Sequence, residues 1–165
     1  MMRSIRLIPA GALTVASLSG CGMWQSVKDT TRAVFVAKVK QMNLVIESRA
    51  ALNENEQGQS LPVVVRVYQL KDAKVFEKAG YAQLLDGNRT LPKADLLDSM
   101  ETTLGPDATV KLFAPMADDA QVVGVAGFFR DRAGAEWQLT IPKSQWKKTD
   151  PVKLVVTGNR MELAP

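Results

Sequence analysis

The amino-acid sequence predicts a mainly β protein, a β-sandwich of seven to eight strands with one or two short helices. Short apolar segments with a period of two residues recur along the chain, separated by residues rich in Gly, Pro, Asn and Asp. Two segments, residues 61–70 and 121–129, are apolar on both faces, which is typical of strands inside a covered sheet. Together these features favour two packed sheets over a helical or α/β fold.

The strands are predicted in chain order from this alternation. Residues 40–49 come first, with Met42, Leu44 and Ile46 on one face. Further strands are predicted over residues 61–70, 109–113, 121–129, 136–141, 152–157 and 161–163. Gly124 and Gly127 indicate a bulge or a close approach by a facing element. Residues 94–103 fit either a strand or a short helix.

One helix is predicted between the second strand and residue 94. Asp72 is placed to cap a helix over residues 73–85, in which Gly80 is a weak point. The apolar residues of that stretch follow a helical period: Val75, Phe76, Ala79 and Leu84. Residues 86–88, Asp-Gly-Asn, end the helix with a turn.

The N-terminus has the pattern of a secretory signal. Arg3 and Arg6 precede an apolar stretch over residues 7–18 that is too short to span a bilayer. Leu18-Ser19-Gly20-Cys21 then resembles the bacterial lipobox, which implies cleavage before Cys21 and acylation of that residue. Gly22 is compatible with sorting to the outer membrane in that family. The alternative is an ordinary signal peptide that leaves Cys21 as a free thiol.

Three regions follow from this pattern: a signal peptide over residues 1–20, an acylated tether over residues 21–38, and one β-sandwich domain over residues 39–165. Residues 24–39 fit either an amphipathic helix or the start of a strand. The mature chain has 145 residues (165 less the 20 of the signal), enough to bury roughly 70% of its unfolded surface. The chain has one cysteine, so we expect the domain to fold without disulfides.

Composition excludes several kinds of chemistry. The chain has no histidine, which removes Ser-His and Cys-His nucleophile systems and imidazole metal ligands. Ser144 and Lys147 match S-x-x-K, but the companion motifs are missing, so a turn is the favoured interpretation. Asp118-Asp119 is interpreted as a solvated turn. We therefore predict no enzyme activity, no metal and no cofactor.

The mature chain is also close to neutral. Two of its 21 Lys and Arg residues lie in the signal, so 19 basic residues face 17 acidic ones, a balance of +2. A nucleic-acid-binding domain needs a clustered positive stripe, which this balance gives no reason to expect. We therefore predict no nucleic-acid partner.

The order of motifs resembles the outer-membrane lipoprotein family of type VI secretion systems, TssJ. The resemblance rests on the lipobox, Pro62-Val-Val-Val-Arg-Val-Tyr-Gln-Leu70, Ala94-Asp-Leu-Leu-Asp98, Val123-Gly-Val-Ala-Gly-Phe-Phe-Arg-Asp131, Trp137, Ile141-Pro142 and residues 155–159. It implies a transthyretin-like β-sandwich with a small helical insertion and no catalysis. It also implies a place on the periplasmic face of the outer membrane, where the protein binds the periplasmic C-terminal domain of the inner-membrane component TssM.

The resemblance places the partner contact in the loop between the first two strands, here the polar residues 53–60. The predicted partner-binding residues are Asn53, Glu54, Asn55, Glu56 and Gln57. A long polar loop held between two strands is a plausible contact site. The alternative is a loop that is merely solvated.

A second candidate surface is a basic group with one aromatic residue: Lys143, Trp146, Lys147, Lys148 and Lys153. It could contact phospholipid headgroups or an acidic partner. The alternative is a solvated turn with Trp146 packed into the edge of the sandwich.

Two other functions stay open at this stage. A periplasmic lipoprotein could bind a glycan or peptide through a sandwich face, for which exposed aromatic residues are needed, with Trp24, Trp146 and Tyr81 as the candidates. A hydrolase would need two converging carboxylates, and the sequence singles out no such pair.

Overall fold

The structure, a computed structural model, describes residues 38–87 and 91–165. The predicted signal peptide, the lipobox with Cys21 and residues 22–37 of the predicted tether lie outside the described residues. The same holds for Asn88 of the predicted turn.

The described residues form eight strands in two sheets, with three short helices. The strands are β1 (Gln41–Leu52), β2 (Val63–Leu70), β3 (Leu96–Leu104), β4 (Thr109–Pro115), β5 (Val122–Phe128), β6 (Gln138–Pro142), β7 (Val152–Gly158) and β8 (Arg160–Leu163). The helices are α1 (Ala73–Lys78), α2 (Tyr81–Leu85) and α3 (Gln145–Lys148). Sheet A has the order β4-β1-β7-β8, and sheet B has the order β3-β2-β5-β6. The predicted β-sandwich is confirmed.

Strand β2 lies between β3 and β5 and pairs antiparallel with both. This confirms the central position predicted from its valine-rich sequence. Residues 94–103, which fitted a strand or a helix, contain most of β3, which pairs with β2 from Leu104 opposite Val63 to Leu96 opposite Leu70. The segment forms a strand because its backbone pairs with the N–H and C=O groups of β2 on the side that β5 leaves unpaired.

The main core lies between the two sheets. Inward side chains alternate along the strands, as the period of two predicted. The central members are each no more than 1% exposed: Met42, Leu44, Ile46, Val63, Val65, Val67, Val123, Val125, Leu154 and Val156. This apolar layer holds the sheets together without a disulfide.

A second, smaller core covers the outer face of sheet B. Helices α1 and α2 pack there. The buried residues of this core are Tyr68, Leu70, Phe76, Leu84, Leu91, Val122, Ala126 and Phe128. Gly124 on β5 permits this packing, since a Cβ atom at that position would lie 2.8 Å from Cε1 of Phe76. The close approach predicted at this glycine is therefore confirmed.

The single helix predicted over residues 73–85 is wrong, because the segment forms two helices. Asp72 caps α1 as predicted, its Oδ1 accepting from the Lys74 N–H at 2.9 Å. Ala79 and Gly80 are extended, and the Gly80 N–H donates to Gln83 Oε1 at 2.8 Å as α2 begins. The weak helix propensity of glycine places the break at Gly80.

Strand directions divide the sandwich into two ends. At one end, Lys40 precedes β1 and its carbonyl accepts from the Met116 N–H, just after β4. We call this the tether end; it comprises residues 38–40, residues 116–121 and α3 with its flanking turns. The opposite end, the loop end, comprises residues 53–60 after β1 and the segments that follow β5 and β7. A strand rises about 3.3 Å per residue, so the 12 residues of β1 separate the two ends by about 35 Å.

Candidate partner-binding interface

The loop over residues 53–60 connects β1 in sheet A to β2 in sheet B, so it crosses the end of the sandwich. It begins at Asn53, which is 8% exposed and has a φ of 47°. Asparagine tolerates this left-handed backbone better than most residues do. The crossing therefore starts from a fixed, buried point.

The Asn53 side chain ties three segments together. Its Nδ2 donates to the Pro62 carbonyl at 2.9 Å, and its Oδ1 accepts from the Arg130 N–H at 2.7 Å. Its backbone N–H donates to the carbonyl of Gly158 at 2.9 Å. Asn53 is buried and the two side-chain bonds are part-buried, so they satisfy a donor and an acceptor that have limited access to water. Asn53 thus fixes the loop against the segments after β5 and β7.

Asn55 organises the tip of the loop. Its Oδ1 accepts from the N–H groups of Gln57 at 3.0 Å and Gln59 at 2.9 Å, and its Nδ2 donates to Gln59 Oε1 at 2.9 Å. The Gly58 N–H donates to the Asn55 carbonyl at 3.0 Å, with Gly58 at a φ of 72°. Such local bonds are the means by which asparagine stabilises turns. The tip is held by its own side chains.

The remaining predicted contact residues point to solvent. Glu54, Glu56 and Gln57 are all exposed. Glu56 lies 3.7 Å from Arg130, and both side chains are more than half exposed, so this ion pair adds little stability. The loop therefore presents two carboxylates and an amide from a rigid base.

Sequence reasoning missed the neighbours of this loop. Asn159 Nδ2 donates to the carbonyls of Asp131 and Ala133, each at 3.3 Å, which brings the β5–β6 and β7–β8 connections together. A hollow of about 190 Å³ opens between them, lined by Asn53, Glu54, Asp131, Gly158 and Asn159. The sequence does not identify these neighbours, because nothing local shows which loops meet across two sheets.

The aromatic candidates for glycan binding are packed. Trp146 is 5% exposed, and its Nε1 donates to the Asn43 carbonyl at 3.0 Å. Tyr81 contacts the rings of Phe128 and Trp137, and its hydroxyl donates to the Phe129 carbonyl at 2.7 Å. Burial raises the pKa of Tyr81, and the nearby Arg132 opposes that rise. Trp24, the third candidate, lies outside the described residues.

The residues considered for catalysis lie on the surface. Ser144 and Lys147 are exposed, and the Lys147 N–H donates to the Ser144 carbonyl at 3.1 Å as α3 begins. Asp118 and Asp119 are exposed, as predicted for a solvated turn. Within residues 38–87 and 91–165, no cluster of three Asp, Glu, Cys or His residues could hold a metal ion. In that same part of the chain, no helix is long and apolar enough to cross a membrane.

The fold and this loop end define a class of small, helix-covered β-sandwich proteins that present a polar inter-sheet loop. The model of the type VI secretion lipoprotein family (VasD, EvfM, TssJ) matches residues 40–159, which is most of the chain. The chain therefore belongs to that family, and the resemblance drawn from the sequence is confirmed. The family is a structural lipoprotein component of the secretion system and not an enzyme family. No curated protein matches the chain.

Solved structures agree with this assignment. A chain in the structure described as the T6SS protein TssM C-terminal domain (869–1107) from EAEC is 31% identical, with a TM-score of 0.69 over 77% of this chain and 99% of that one. A chain of a type VI membrane complex is 32% identical. The match has a TM-score of 0.71 and covers 78% of this chain and 100% of that one. Serratia marcescens Lip, a membrane-bound component of the type VI secretion system, is 22% identical and shares the fold. The match has a TM-score of 0.68 and covers 76% of this chain and 98% of Lip.

Proposed function

We propose that this lipoprotein anchors a type VI secretion membrane complex to the periplasmic face of the outer membrane and binds the periplasmic C-terminal domain of a TssM-like inner-membrane protein. The observation that carries the proposal is the division of the sandwich into two ends. The chain from Cys21 enters the domain at Lys38, and the exposed side chains of Glu54, Glu56 and Gln57 lie at the opposite end. A domain held to the membrane at one end presents its loop to the periplasm.

The anchor is proposed at Cys21, with residues 1–20 removed as a signal peptide and residues 21–38 serving as the tether. Each buried methylene of an acyl chain contributes about 0.8 kcal/mol, so several chains on one cysteine hold stably. The sixteen residues between Cys21 and Lys38 span at most about 55 Å when fully extended. The domain would stay within reach of the membrane surface.

The matched structures support the choice of partner. The matched EAEC chain is about 128 residues long, since 99% of it corresponds to 77% of this chain's 165 residues. The range 869–1107 covers 239 residues, so a chain of that length is not the whole named domain. We infer that a TssJ-like chain accompanies the TssM domain in that structure and accounts for the match. The match to a chain of a type VI membrane complex supports the same assembly.

The proposed function needs no catalysis. The chain has no histidine, and its one cysteine is the proposed lipid site. The exposed Ser144 and Lys147 lie at the start of α3 and on it, and the loop end offers hydrogen-bonding groups and charges suited to recognition. The protein acts by holding two partners at fixed positions.

The loop is tested by replacing residues 54–59 with a Gly-Ser linker and titrating the TssM periplasmic domain calorimetrically. Affinity should fall at least tenfold, about 1.4 kcal/mol. The melting transition should change little, because the replaced side chains contribute nothing to the apolar core and Asn53 is retained. A finer variant, Glu54→Gln with Glu56→Gln, separates the role of charge from that of shape.

The matched control is Asp118→Asn with Asp119→Asn, which removes two exposed carboxylates at the tether end. Its affinity for the TssM domain should stay within about twofold of the parent. Unchanged affinity in the loop variant would place the interface elsewhere.

The anchor is tested by Cys21→Ser. The variant should lack the acyl mass and leave the membrane fraction, because a single serine offers no thiol to acylate. Mass spectrometry of the mature protein and membrane fractionation measure the two effects. An acylated, membrane-bound Cys21→Ser protein would contradict the proposal.

A further inference from the structure

The outer faces of the two sheets differ in what covers them. Helices α1 and α2 cover sheet B, whereas sheet A turns its outer face to solvent near the tether end. Phe113, on the edge strand β4, is 64% exposed there, the highest value among the exposed large apolar side chains of the described residues. An aromatic side chain left this open is typical of an interaction surface.

Asn43 links Phe113 to α3, because it pairs with Phe113 across the strands and bonds to a residue of α3. Phe113 pairs with Asn43 across β1 and β4. The Asn43 carbonyl accepts from Trp146 of α3 at 3.0 Å, and its Nδ2 donates to Asp150 Oδ1 at 2.8 Å. A hollow of about 410 Å³ lies at this junction, its lining including Val45, Phe113 and Pro151. The exposed ring and the lysine-bearing helix therefore belong to one continuous surface.

Lysines surround this ring. In the strand register, Val45 has Lys111 on one side and Lys153 on the other, so both flank the apolar patch on the outer face. Among the described residues, six exposed lysines lie on this face or at the tether end beside it: Lys38, Lys40, Lys111, Lys147, Lys148 and Lys153. We call Phe113 with these lysines the basic face.

Among the described residues, the acidic groups near the basic face are fewer than its lysines, although Asp150 is exposed and lines the same hollow as Phe113. Asp150 accepts from Asn43, and Asp119 lies 3.9 Å from Lys71. Asp118 is exposed in the turn after β4. The next row of sheet A toward the loop end carries Glu47 and Glu162, so the positive character is confined to the tether-end half.

Lys143 and Trp146, which the sequence grouped with this surface, have structural roles. Lys143 Nζ donates to the carbonyls of Ala117 and Asp118 at 2.9 and 3.0 Å. Trp146 is buried, which confirms the alternative that it packs into the edge of the sandwich. The exposed aromatic of the surface is Phe113.

We propose that the basic face lies directly on a phospholipid bilayer that contains anionic lipid, with the Phe113 ring at the headgroup level. The proposal rests on the anchor of the proposed function, because the chain from Cys21 enters the domain at Lys38, within this surface. Lysines near an anionic membrane surface are attracted within about one Debye length, roughly 10 Å at 0.1 M salt. A lipid tether keeps the domain close enough to the membrane for this attraction to hold the tether-end half of sheet A against the bilayer.

The test uses the mature chain, residues 21–165, carrying Cys21→Ser so that no acyl chain contributes to binding. Co-sedimentation is measured with vesicles of phosphatidylethanolamine and phosphatidylglycerol, and with vesicles of phosphatidylcholine alone. The protein should bind the anionic vesicles selectively and be released at 1 M salt, where the Debye length is about 3 Å. Lys111→Glu with Lys153→Glu should lower the partition coefficient at least about tenfold.

The matched control is Lys74→Glu with Lys78→Glu, the same charge change on α1 over the opposite sheet. This control should bind within about twofold of the parent, whereas Phe113→Ser should bind about threefold more weakly or worse. Equal loss in both double variants, or no binding of the parent to anionic vesicles, would overturn the proposal.

Vesicle binding is measured without the TssM domain, and TssM titration is measured without vesicles. The titration therefore tests the loop prediction alone, and the vesicle experiment tests the membrane role of the basic face alone. If Phe113→Ser weakens TssM binding or self-association while vesicle binding stays unchanged, the face belongs to a protein contact and the bilayer proposal is wrong.

Discussion

The outer faces of the two sheets differ, because helices cover the outer face of sheet B and leave that of sheet A exposed near the tether end. Sheet B carries Tyr68 and Phe128 on its outer face, and α1 and α2 cover them with Phe76 and Leu84. Sheet A carries Phe113 among lysines, with no helix over it in the described part of the chain. Covered aromatic residues contribute to stability, whereas an open one is available for binding. The two faces should therefore respond to mutation in opposite ways.

The covered face also holds a charged network at its edge. Arg66 Nη2 lies 2.6 Å from Glu101 Oε2, Arg66 Nη1 donates to the Leu84 carbonyl at 2.5 Å, and the guanidinium lies 4.8 Å from the centre of the Phe128 ring. Burial lowers the pKa of Arg66, but hydrogen bonds to Tyr68 and Glu101 raise it above its ordinary value on balance. Arg66 therefore stays charged and links the helical layer to sheet B.

The largest expected effect comes from the layer that both sheets share. Val65 is fully buried on the central strand β2, between Thr102 and Gly127 of its neighbours. Val65→Asp buries a charge without a partner, and we expect a loss of more than about 4 kcal/mol in the free energy of unfolding. Chemical denaturation measures it, with the exposed Thr103→Asp on β3 as the control. A stable Val65→Asp protein would contradict the central position of β2.

The next effect separates the two outer faces. Phe76 of α1 is fully buried against sheet B, with its ring 5.4 Å from that of Tyr68 and against Gly124. Phe76→Ala should lower the free energy of unfolding by about 3–5 kcal/mol through lost burial and a cavity. Urea denaturation followed by circular dichroism provides the measurement. A loss below about 1 kcal/mol would show that the helical layer is dispensable for stability.

Sequence patterns predicted the parts of the fold that depend on local alternation. Residues 61–70 and 121–129 are apolar on both faces and became β2 and β5 at the centre of sheet B. The alternation around Val110 and Leu112 also separates Phe113 onto the other face of β4. These features are visible because the side-chain period of a strand is fixed at two.

Contacts between distant segments could not be predicted in this way. Gln69, buried on β2, donates from Nε2 to the Pro115 carbonyl at 2.8 Å and accepts from the Ala117 N–H at 2.7 Å, which joins the sheets at the tether end. Asn53 does the same at the loop end, although its neighbours in sequence suggest only a solvated loop. A polar residue's partner is set by the tertiary arrangement, so a single sequence does not reveal it.

The smallest expected effect on stability comes from Phe113→Ser, which makes the contrast with Phe76 sharpest. Because Phe113 is already 64% exposed, its replacement removes little apolar burial, and we expect a loss of less than about 1 kcal/mol in the free energy of unfolding. The same urea denaturation as for Phe76→Ala measures it, so two aromatic truncations on opposite faces are compared directly. A loss near that of Phe76→Ala would mean that Phe113 supports the fold of β4. A small loss combined with weaker binding to anionic vesicles would show that sheet A leaves this ring open for contact with the membrane.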